Sequence, residues 1–595
     1  MRMKTKSLIL LLLFSALSFG FHQSPTDLNQ DNNRDKILEA DKLLKKYNVG
    51  QAQSNNVVKV VYFHANDQEP LPNWRERLTR TLDDVSRFYQ EEFDKHGITI
   101  EGIPFEKTDG KIVFHLIKGS SPSKDYSKDS GMKIQYEIYS KSNKQIDFSK
   151  DHVLIINGLC DKRTDGTYVF HSPYYGTGSS ISGVCHVADC ELLDSKLLTD
   201  TTHKMAFSEM AVKYKECSVA EFNSWYIGGI AHEMGHLFGL PHDFGHPAEL
   251  DSSTISLMGE YGSRHFRDYL WGGKVSSVFS TASILQLMSH PVFTQRIKPE
   301  STATEFDMPN LRFSGDSSGL VLKLDNKTNV LPYGVVALIR PTFWSEYYNR
   351  SFSKVITQNE SVSIEIGSLA NKDYVLRFIY LFPNGNVVNY HKAFAIDNNG
   401  VAVEKKISKV EVDIRAFSEE LQKMEKTPEM QAKLEILKDV LNPPTPIDPN
   451  TAVGSQLFLS DAKWEKASVG WEKVARNYYS CESEITFFLE NQGELYSKGL
   501  FAHSPSSYVF NLNKKWLKFT GIVGLRDYAH IQGSARFTVL GDGKVLYESS
   551  PLRVNQQSVF DIDVKDVVTL ELKTNGTEGH NFNSWAVWLN PLLER

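Results

Sequence analysis

Apolar residues follow two different periods in the first half of the chain. Continuous apolar runs at 57–63 and 152–157 predict buried strands. Between them, large apolar side chains recur every three or four residues, the period of an amphipathic helix that stops at Gly97. These side chains are Trp74, Leu78, Leu82, Val85, Tyr89 and Phe93. Strands that alternate with a long helix predict an α/β layer.

From about residue 300 the pattern changes to short strands separated by Asn, Gly and Pro. Residues 361–366 alternate between polar and apolar side chains, which is the period of a half-buried strand. The runs at 374–382 and 387–391 flank a Pro-Asn-Gly-Asn turn, a hairpin signal. We therefore expect a β-sandwich at 299–415.

The two ends of the chain differ again. Residues 21–54 are polar, and only a stretch near Asp35 to Tyr47 looks helical. A charged helix around 417–441 precedes a segment so rich in proline that it favours an extended linker. The expected organisation is a signal peptide (1–20), an N-terminal extension (21–54), a first folded domain (55–298), a β-sandwich (299–415), a helix with a Pro-rich linker (416–450) and a C-terminal β-rich domain (451–595).

The first twenty residues have the layout of a secretory signal peptide. A basic stretch from Met1 to Lys6 precedes the apolar run from Leu8 to Leu13, and small or turn-forming residues follow. The run is short for a membrane span, although an uncleaved anchor is the alternative. No Cys lies near the cleavage region, and no second apolar stretch is long enough to cross a bilayer. We expect an exported protein, secreted, periplasmic or at the cell surface, without a transmembrane anchor.

The five cysteines fit an oxidising compartment. Cys160, Cys185, Cys190 and Cys217 lie in one segment, and Cys481 stands alone far downstream. Four clustered cysteines predict two disulfides, with three pairings that the sequence leaves open. The alternative is four buried thiols, and a structural zinc site is disfavoured because paired C-x-x-C spacings are absent.

Composition and charge exclude some classes of function. Of the 595 residues, 41% are hydrophobic and 23% are charged, a balance typical of a soluble globular protein. The formal net charge is -6, and no basic patch with interleaved aromatic residues is apparent. We therefore expect no nucleic-acid partner, and we expect a monomer.

The segment from residue 230 to residue 243 carries the clearest chemical signal. His232 and His236 are four residues apart on a predicted helix, so both imidazoles project from one face and can meet one metal ion. Glu233 follows the first His, where its carboxylate can reach a water beside the metal. The alternative interpretation is that both His side chains satisfy hydrogen bonds in the core and that Glu233 faces solvent.

A third His follows where a catalytic zinc site needs it. Gly239 can take the left-handed conformation that ends a helix, and the chain then turns at Pro241 and brings His242 to the same ion. Three nitrogen ligands leave a fourth zinc position open, as in catalytic sites. Asp243 or His246 as the third ligand is the alternative.

The motif His232-Glu-x-x-His236-x-x-Gly239-x-x-His242 resembles the zinc signature of the metzincin metallopeptidases. The resemblance covers roughly residues 55–298, and it implies an α/β metzincin-like catalytic domain that binds one zinc ion. It also implies a zinc metalloendopeptidase, in which Glu233 is the general base that takes a proton from water and passes it to the leaving amine. Zinc would acidify the water and polarise the scissile carbonyl.

The same resemblance implies roles for residues that follow the motif. Met258 would form the apolar floor beneath the ligands, and Asp243 would tie the ligand loop to this methionine turn. Some metzincin subfamilies place a Tyr two residues after the Met, where it can approach the zinc. Tyr261 stands three residues after Met258, so we expect it to pack rather than to stabilise an oxyanion.

The C-terminal domain resembles the NPCBM family, β-sandwich modules of the carbohydrate-binding kind. The segments that carry this resemblance are Phe458-Leu-Ser-Asp-Ala-Lys-Trp464, Gly470-Trp471, Lys498-Gly-Leu-Phe-Ala-His-Ser504, Gly541-Asp-Gly-Lys-Val-Leu-Tyr547 and Asn583-Ser-Trp-Ala586. Aromatic rings can stack on sugars, although in a sandwich they are more often core. The candidate glycan-binding residues are Trp464, Trp471, His503, Asp527 and Trp585, with Trp588 as a further ring.

Two functions of different class follow from these signals. The first is a secreted peptidase whose accessory domain directs it to glycosylated proteins, such as mucin-like substrates. The second is a glycan-binding or adhesive surface protein with a degenerate peptidase domain. The intact ligand set with Glu233 in place favours the first. A glycosidase is a weaker interpretation, because the sequence alone identifies no carboxylate pair.

Overall fold

The computed structural model divides the chain into two compact units, residues 19–406 and residues 407–595. It describes residues 30–128, 130–209, 212–213, 216–250, 253–299, 311–316, 319–325, 331–341, 347, 349–358, 361–397, 400–405, 428–471, 473–479, 488–527, 529, 533–577 and 584–595. The predicted signal peptide, Cys481 and the first part of the helix predicted around 417–441 lie outside these residues. Within the described residues, no helix is long and apolar enough to cross a membrane.

The first unit begins with an α/β region. Its helices are α1 (Gln30–Asn48), α2 (Trp74–Lys95), α3 (Gly131–Lys141), α4 (Val219–Leu237), α5 (Thr281–Leu287) and α6 (Pro291–Thr294). Its strands are β1 (Val58–His64), β2 (Lys107–Thr108), β3 (Lys111–Ile112), β4 (Phe114–Lys118), β5 (His152–Asn157), β6 (Cys160–Lys162), β7 (Tyr168–Phe170), β8 (Tyr175–Gly178), β9 (Gly183–Ala188), β10 (Lys204–Met205), β11 (Phe207–Glu209), β12 (Val212–Lys213), β13 (Cys217–Ser218), β14 (Thr254–Ser256) and β15 (Ser276–Val278).

The main sheet of this region has the strand order β4-β1-β5-β9-β8. The pairings among β4, β1, β5 and β9 are parallel, and β8 joins the edge antiparallel to β9. Strand β5 is buried along its whole length, as its continuous apolar run predicts. Helices α2 and α4 pack in the same hydrophobic core, so the predicted α/β layer is present.

Helix α2 is the amphipathic helix that the apolar spacing predicts. Five of the six apolar side chains that recur every three or four residues are buried, namely Leu78, Leu82, Val85, Tyr89 and Phe93. Helix α1 corresponds to the helical stretch predicted in the N-terminal extension. Its apolar residues Ile37, Ala40 and Leu44 fall on one face and are buried in the same core, so this part of the extension belongs to the folded unit.

The prediction of two disulfides is wrong for the described cysteines. Cys160, Cys185, Cys190 and Cys217 are all free thiols, and the first three are buried. Cys160 and Cys217 lie on β6 and β13, and Cys185 and Cys190 lie on β9 and just after it. Close spacing along the chain does not bring their sulfur atoms to bonding distance. The alternative interpretation, buried thiols, describes them better.

The second region of the first unit is built from two antiparallel sheets. Its strands are β16 (Leu311–Asp316), β17 (Gly319–Asp325), β18 (Gly334–Pro341), β19 (Arg350–Val355), β20 (Ser361–Gly367), β21 (Asp373–Leu381), β22 (Val387–Ile396) and β23 (Ala402–Lys405). One sheet has the order β16-β17-β20 and the other β19-β18-β21-β22-β23. The predicted hairpin is β21–β22, and β20 buries Val362, Ile364 and Ile366 on one face.

The second unit consists of helix α7 (Pro428–Leu441) and a two-sheet β-sandwich. The strands of this unit are β24 (Gln456–Phe458), β25 (Lys466–Ser468), β26 (Leu489–Asn491), β27 (Glu494–Tyr496), β28 (Gly499–Phe501), β29 (Ser506–Asn511), β30 (Lys518–Leu525), β31 (Ser534–Gly541), β32 (Lys544–Glu548), β33 (Leu552–Arg553), β34 (Gln557–Asp563), β35 (Thr569–Gly576) and β36 (Ala586–Glu594). Strands β26 and β27 pair with each other in a two-stranded sheet beside the two larger ones. Between α7 and β24, the predicted Pro-rich linker is largely without regular structure.

Candidate metal centre

Helix α4 carries the first part of the metal-binding motif, and its sequence fixes both of its ends. The Ser218 hydroxyl accepts a hydrogen bond from the Glu221 backbone N–H (3.1 Å), and the Glu221 carboxylate accepts one from the Ser218 backbone N–H (2.7 Å). At the other end Gly239 has φ +85°, the left-handed conformation that lets the chain leave the helix. The buried side of the helix includes Ile227, Ile230 and Met234.

The three predicted ligands converge. Side-chain nitrogens of His232, His236 and His242 lie within 4.8 Å of one another. The Nδ1 atoms of His232 and His236 each lie 2.7 Å from a backbone carbonyl oxygen, that of Leu257 and that of Leu240. Because a carbonyl oxygen only accepts, each Nδ1 carries the proton, and each Nε2 presents a lone pair.

This arrangement fits a zinc ion. The Nε2 atoms of His236 and His242 are 3.1 Å apart, and nitrogens at about 2.0–2.1 Å from a tetrahedral zinc lie about 3.4 Å from each other. Burial, together with the neighbouring charge of His236, lowers the pKa of His232 to about 3. A neutral imidazole is the form that binds a metal. No other group of three His, Cys, Asp or Glu side chains among the described residues converges in this way.

Glu233 lies beside the first ligand and faces the edge strand of the sheet. Burial raises its pKa to about 8, while a hydrogen bond from the backbone N–H of Gly176 in β8 acts in the opposite direction. A cation held nearby favours the charged carboxylate. Strand β8 passes against the backbone of α4 here: a Cβ added to Gly176 would lie 2.1 Å from the Glu233 carbonyl oxygen, and one added to Gly178 would lie 1.9 Å from that of Leu237.

The methionine turn lies beneath the helix. Met258 is fully buried, and a Cβ added to Gly235 of α4 would lie only 2.5 Å from its sulfur. The adjacent carbonyl of Leu257 is the one that holds His232. The Met258 carbonyl accepts a hydrogen bond of 3.1 Å from the backbone N–H of Asp243, so the turn also holds the loop of the third ligand.

Asp243 and His246 lie outside the ligand cluster. The Asp243 carboxylate is buried and accepts hydrogen bonds from the backbone N–H of Gly245 (2.8 Å) and from the Ser280 hydroxyl. The Asp243 carbonyl accepts one from Ser256 (2.6 Å), which ties the loop to the turn. The His246 ring packs on Phe352 at 5.1 Å, and burial lowers its pKa to about 4.

Two residues near the site escaped the sequence analysis. The ring of Tyr347 lies 3.6 Å from that of His242 between centroids, and the Asn349 side-chain amide donates a hydrogen bond of 3.1 Å to the His242 carbonyl. Desolvation, together with the charges of Glu233 and Glu260, raises the pKa of Tyr347 to about 12. Both residues come from the β18–β19 connection more than a hundred positions downstream, and no local pattern marks them.

Among the candidate glycan-binding residues of the second unit, some are engaged in its own structure. The Arg476 guanidinium covers the Trp464 ring at 3.3 Å. The Asp527 carboxylate accepts hydrogen bonds from the backbone N–H groups of Gln492 and Gly493, both 2.7 Å. Trp588 is fully buried in the core. These contacts favour a structural role for all three residues.

The other candidates lie close together. The rings of His503 and Trp585 are 4.7 Å apart between centroids. The backbone N–H of Gly470, the residue before Trp471, donates to the His503 carbonyl at 2.9 Å. Trp471 is 50% exposed. Arg526, which the sequence analysis missed, holds its guanidinium 5.7 Å from the Trp585 ring centroid. Binding of a sugar by this group stays a prediction.

Comparison with known proteins identifies one part of the chain. Residues 455–594 match the family model of the NPCBM/NEW2 domain. A curated protein of Renibacterium salmoninarum, named "Putative endo-alpha-N-acetylgalactosaminidase", is 29% identical over 137 residues, which are 22% of this chain and 9% of that protein. The match therefore spans a small part of the curated relative.

Solved structures resemble the chain more distantly. Wild-type OgpA from Akkermansia muciniphila has 20% sequence identity and a TM-score of 0.48, over 60% of this chain and 97% of that one. Inactive OgpA from the same organism, solved with an O-glycopeptide substrate, has 18% identity and a TM-score of 0.47 over the same shares. From the family match, the C-terminal part of this chain is an NPCBM/NEW2 domain.

Proposed function

We propose that this chain is an exported zinc-dependent endopeptidase that hydrolyses peptide bonds in glycosylated proteins, such as mucin-like substrates. The convergence of three histidine nitrogens within 4.8 Å, with Glu233 beside them, is the observation that carries the proposal. His232, His236 and His242 would hold the ion, and a zinc ion there supplies Lewis acidity toward the scissile carbonyl and the attacking water.

The chain's own residues account for the proton transfers. Glu233 accepts a proton from the water as the water oxygen attacks the carbonyl carbon, and it returns that proton to the leaving nitrogen as the C–N bond breaks. The products are a carboxylate and an amine. The hydrogen bond from Gly176 keeps the carboxylate oriented while the proton moves.

Strand β8 is suited to position the peptide. It forms the edge of the main sheet, and within the described part of the chain it pairs only with β9. An extended substrate can add to such an edge as a further strand through main-chain hydrogen bonds. Because β8 also contacts the backbone of α4 at Glu233, a peptide bound there would pass close to the general base.

The preference for glycosylated proteins rests on the second unit. The NPCBM domain is of the carbohydrate-binding kind, and the name of the curated relative denotes an enzyme that acts on N-acetylgalactosamine linkages. A binding module on the same chain raises the local concentration of substrate without changing the chemistry. Its benefit is therefore expected at low substrate concentration.

The first test is Glu233→Gln, which keeps the shape of the side chain and removes the base. The variant should retain one zinc per chain by elemental analysis and lose about 10² to 10⁴ in peptide hydrolysis rate. Its rate is read from new amino termini released from casein and from mucin, with wild type alongside. A Glu233→Gln protein as fast as wild type would refute the role of the general base.

The second test compares mucin before and after enzymatic removal of its O-glycans. The native mucin should be cleaved faster at low concentration, because only it carries ligands for the NPCBM domain. Equal cleavage rates on both forms of mucin would contradict the preference for glycosylated proteins and would leave a peptidase without that preference. A wild-type protein that binds zinc and mucin and cleaves neither substrate would instead support the adhesive alternative.

A further inference from the structure

The zinc-binding loop is held by a region of the chain that contains none of the motif. In the β18–β19 connection, the Asn349 side chain donates to the His242 carbonyl, and the Asn349 carbonyl accepts from the Phe244 backbone N–H at 2.7 Å. The Ser351 backbone N–H donates to the Gly245 carbonyl at 3.4 Å. The β-sandwich region is therefore part of the wall of the metal centre.

Tyr347 is the side chain that this connection places nearest to the ligands. Its ring centroid lies 3.6 Å from that of His242, with 33° between the planes, and 6.2 Å from that of His232, with 19° between the planes. The residue is 38% exposed, so the ring that packs on His242 also remains accessible to solvent. Tyr347 therefore lies beside two of the three predicted ligands.

Two residues after Met258, where some metzincin subfamilies place a tyrosine, this chain has Glu260, and Tyr261 follows one residue later. Tyr261 has φ 62° and is 44% exposed, and its ring lies 4.8 Å from the guanidinium of Arg264. That guanidinium in turn covers the ring of Trp225 at 4.1 Å. The phenol after the methionine turn therefore packs on its own loop, and the phenol beside the ligands comes from another region.

We propose that Tyr347 is a catalytic residue, whose hydroxyl donates a hydrogen bond to the scissile carbonyl oxygen as negative charge develops there. The proposal rests on the peptidase function proposed above. A phenol with an ordinary pKa near ~10 keeps its proton at neutral pH and can donate. A donor fixed in place in a partly water-excluded cleft stabilises such charge more than water does. The Tyr347 ring is fixed in place because it stacks on His242, and because Asn349 donates a hydrogen bond to the His242 carbonyl on the same loop.

The decisive variant is Tyr347→Phe, because it keeps the stacked ring and removes only the hydroxyl. In the full-length, zinc-loaded protein, kcat on an internally quenched O-glycosylated peptide should fall about 10²-fold, the scale of one lost oxyanion donor. KM, zinc content and Tm should stay near wild type. Tyr261→Phe is the matched control, with a rate equal to wild type. Tyr347→Ala should in addition disturb zinc content, because the ring no longer packs on the ligand.

A tetrahedral inhibitor separates catalysis from packing. The phosphinic analogue of the same peptide should bind Tyr347→Phe more weakly by about the factor by which kcat falls, since only interactions made in the transition state act on both. Tyr347→Phe with wild-type kcat and inhibitor affinity overturns the tyrosine proposal and leaves the peptidase proposal standing. A zinc-loaded wild type without hydrolysis of any peptide overturns both.

Discussion

The candidate metal centre and the aromatic surface of the NPCBM domain, formed by Trp471, His503 and Trp585, depend on the surrounding structure in two different ways. At the candidate metal centre, two of the predicted ligand imidazoles are fixed through one ring nitrogen, and the third predicted ligand lies on a loop that Met258 and Asn349 anchor. In the NPCBM domain, two of the five predicted glycan-binding residues, Trp464 and Asp527, make contacts within the domain itself. A metal ion requires ligand atoms at fixed positions, whereas an aromatic side chain can contact a sugar simply by being exposed at the surface.

The largest effect is expected when the third predicted ligand, His242, is replaced. His242→Ala should lower zinc affinity by more than ~10², because even second-sphere changes cost up to that much, and hydrolysis should fall with the zinc lost. His246→Ala is the matched control, since that ring packs on Phe352 outside the cluster. Zinc content after dialysis measures the effect. Stoichiometric zinc in His242→Ala, or zinc loss in His246→Ala, would contradict the ligand assignment.

A smaller effect is expected at the floor of the centre. Met258→Leu nearly conserves volume, so the free energy of unfolding should change by less than about 1.5 kcal/mol and zinc should be retained. Met258→Lys places an unpaired charge in a fully buried position and should cost far more. Chemical denaturation of both variants gives the difference. Similar stability of the two would mean that the floor is not closed around this side chain.

The smallest effect is expected on the aromatic surface. Trp471→Ala should weaken binding to immobilised mucin by about 0.5–1.5 kcal/mol, the scale of one aromatic contact, and leave hydrolysis of an unglycosylated peptide unchanged. Trp464→Ala is the contrasting variant, because its ring lies under Arg476 and should matter for the stability of the domain. If Trp464→Ala alone weakens mucin binding at unchanged Tm, the binding surface has been assigned to the wrong ring.

The sequence predicted the parts of the fold and of the site that depend on short spacings. The apolar period of α2, the hairpin β21–β22 and the convergence of His232, His236 and His242 all follow from residues within a few turns or strands of one another. Tyr347 could not be predicted in this way, because its place beside His242 depends on how a later region folds back. The spacing of hydrophobic residues does not predict contacts between residues that are far apart in the chain.

Residue type alone does not predict the role of a side chain that commonly serves two different purposes in proteins. The cysteines suggested disulfides, and the buried positions of Cys160, Cys185 and Cys190 suit small apolar side chains equally well. Asp527 is a predicted glycan-binding residue, and its carboxylate also holds a turn through two backbone N–H groups. In each case the deciding fact is the neighbour across the fold.

The close passage of β8 over α4 restricts how this cleft can diversify. At Gly176 and Gly178 the strand lies so near the helix that even a methyl group would overlap a carbonyl oxygen. Substitution at either position must move the strand, and with it the line along which an extended peptide would lie beside Glu233. If the proposed function is right, selectivity for the peptide can change through the loops around this edge, while β8 keeps a constant distance from Glu233.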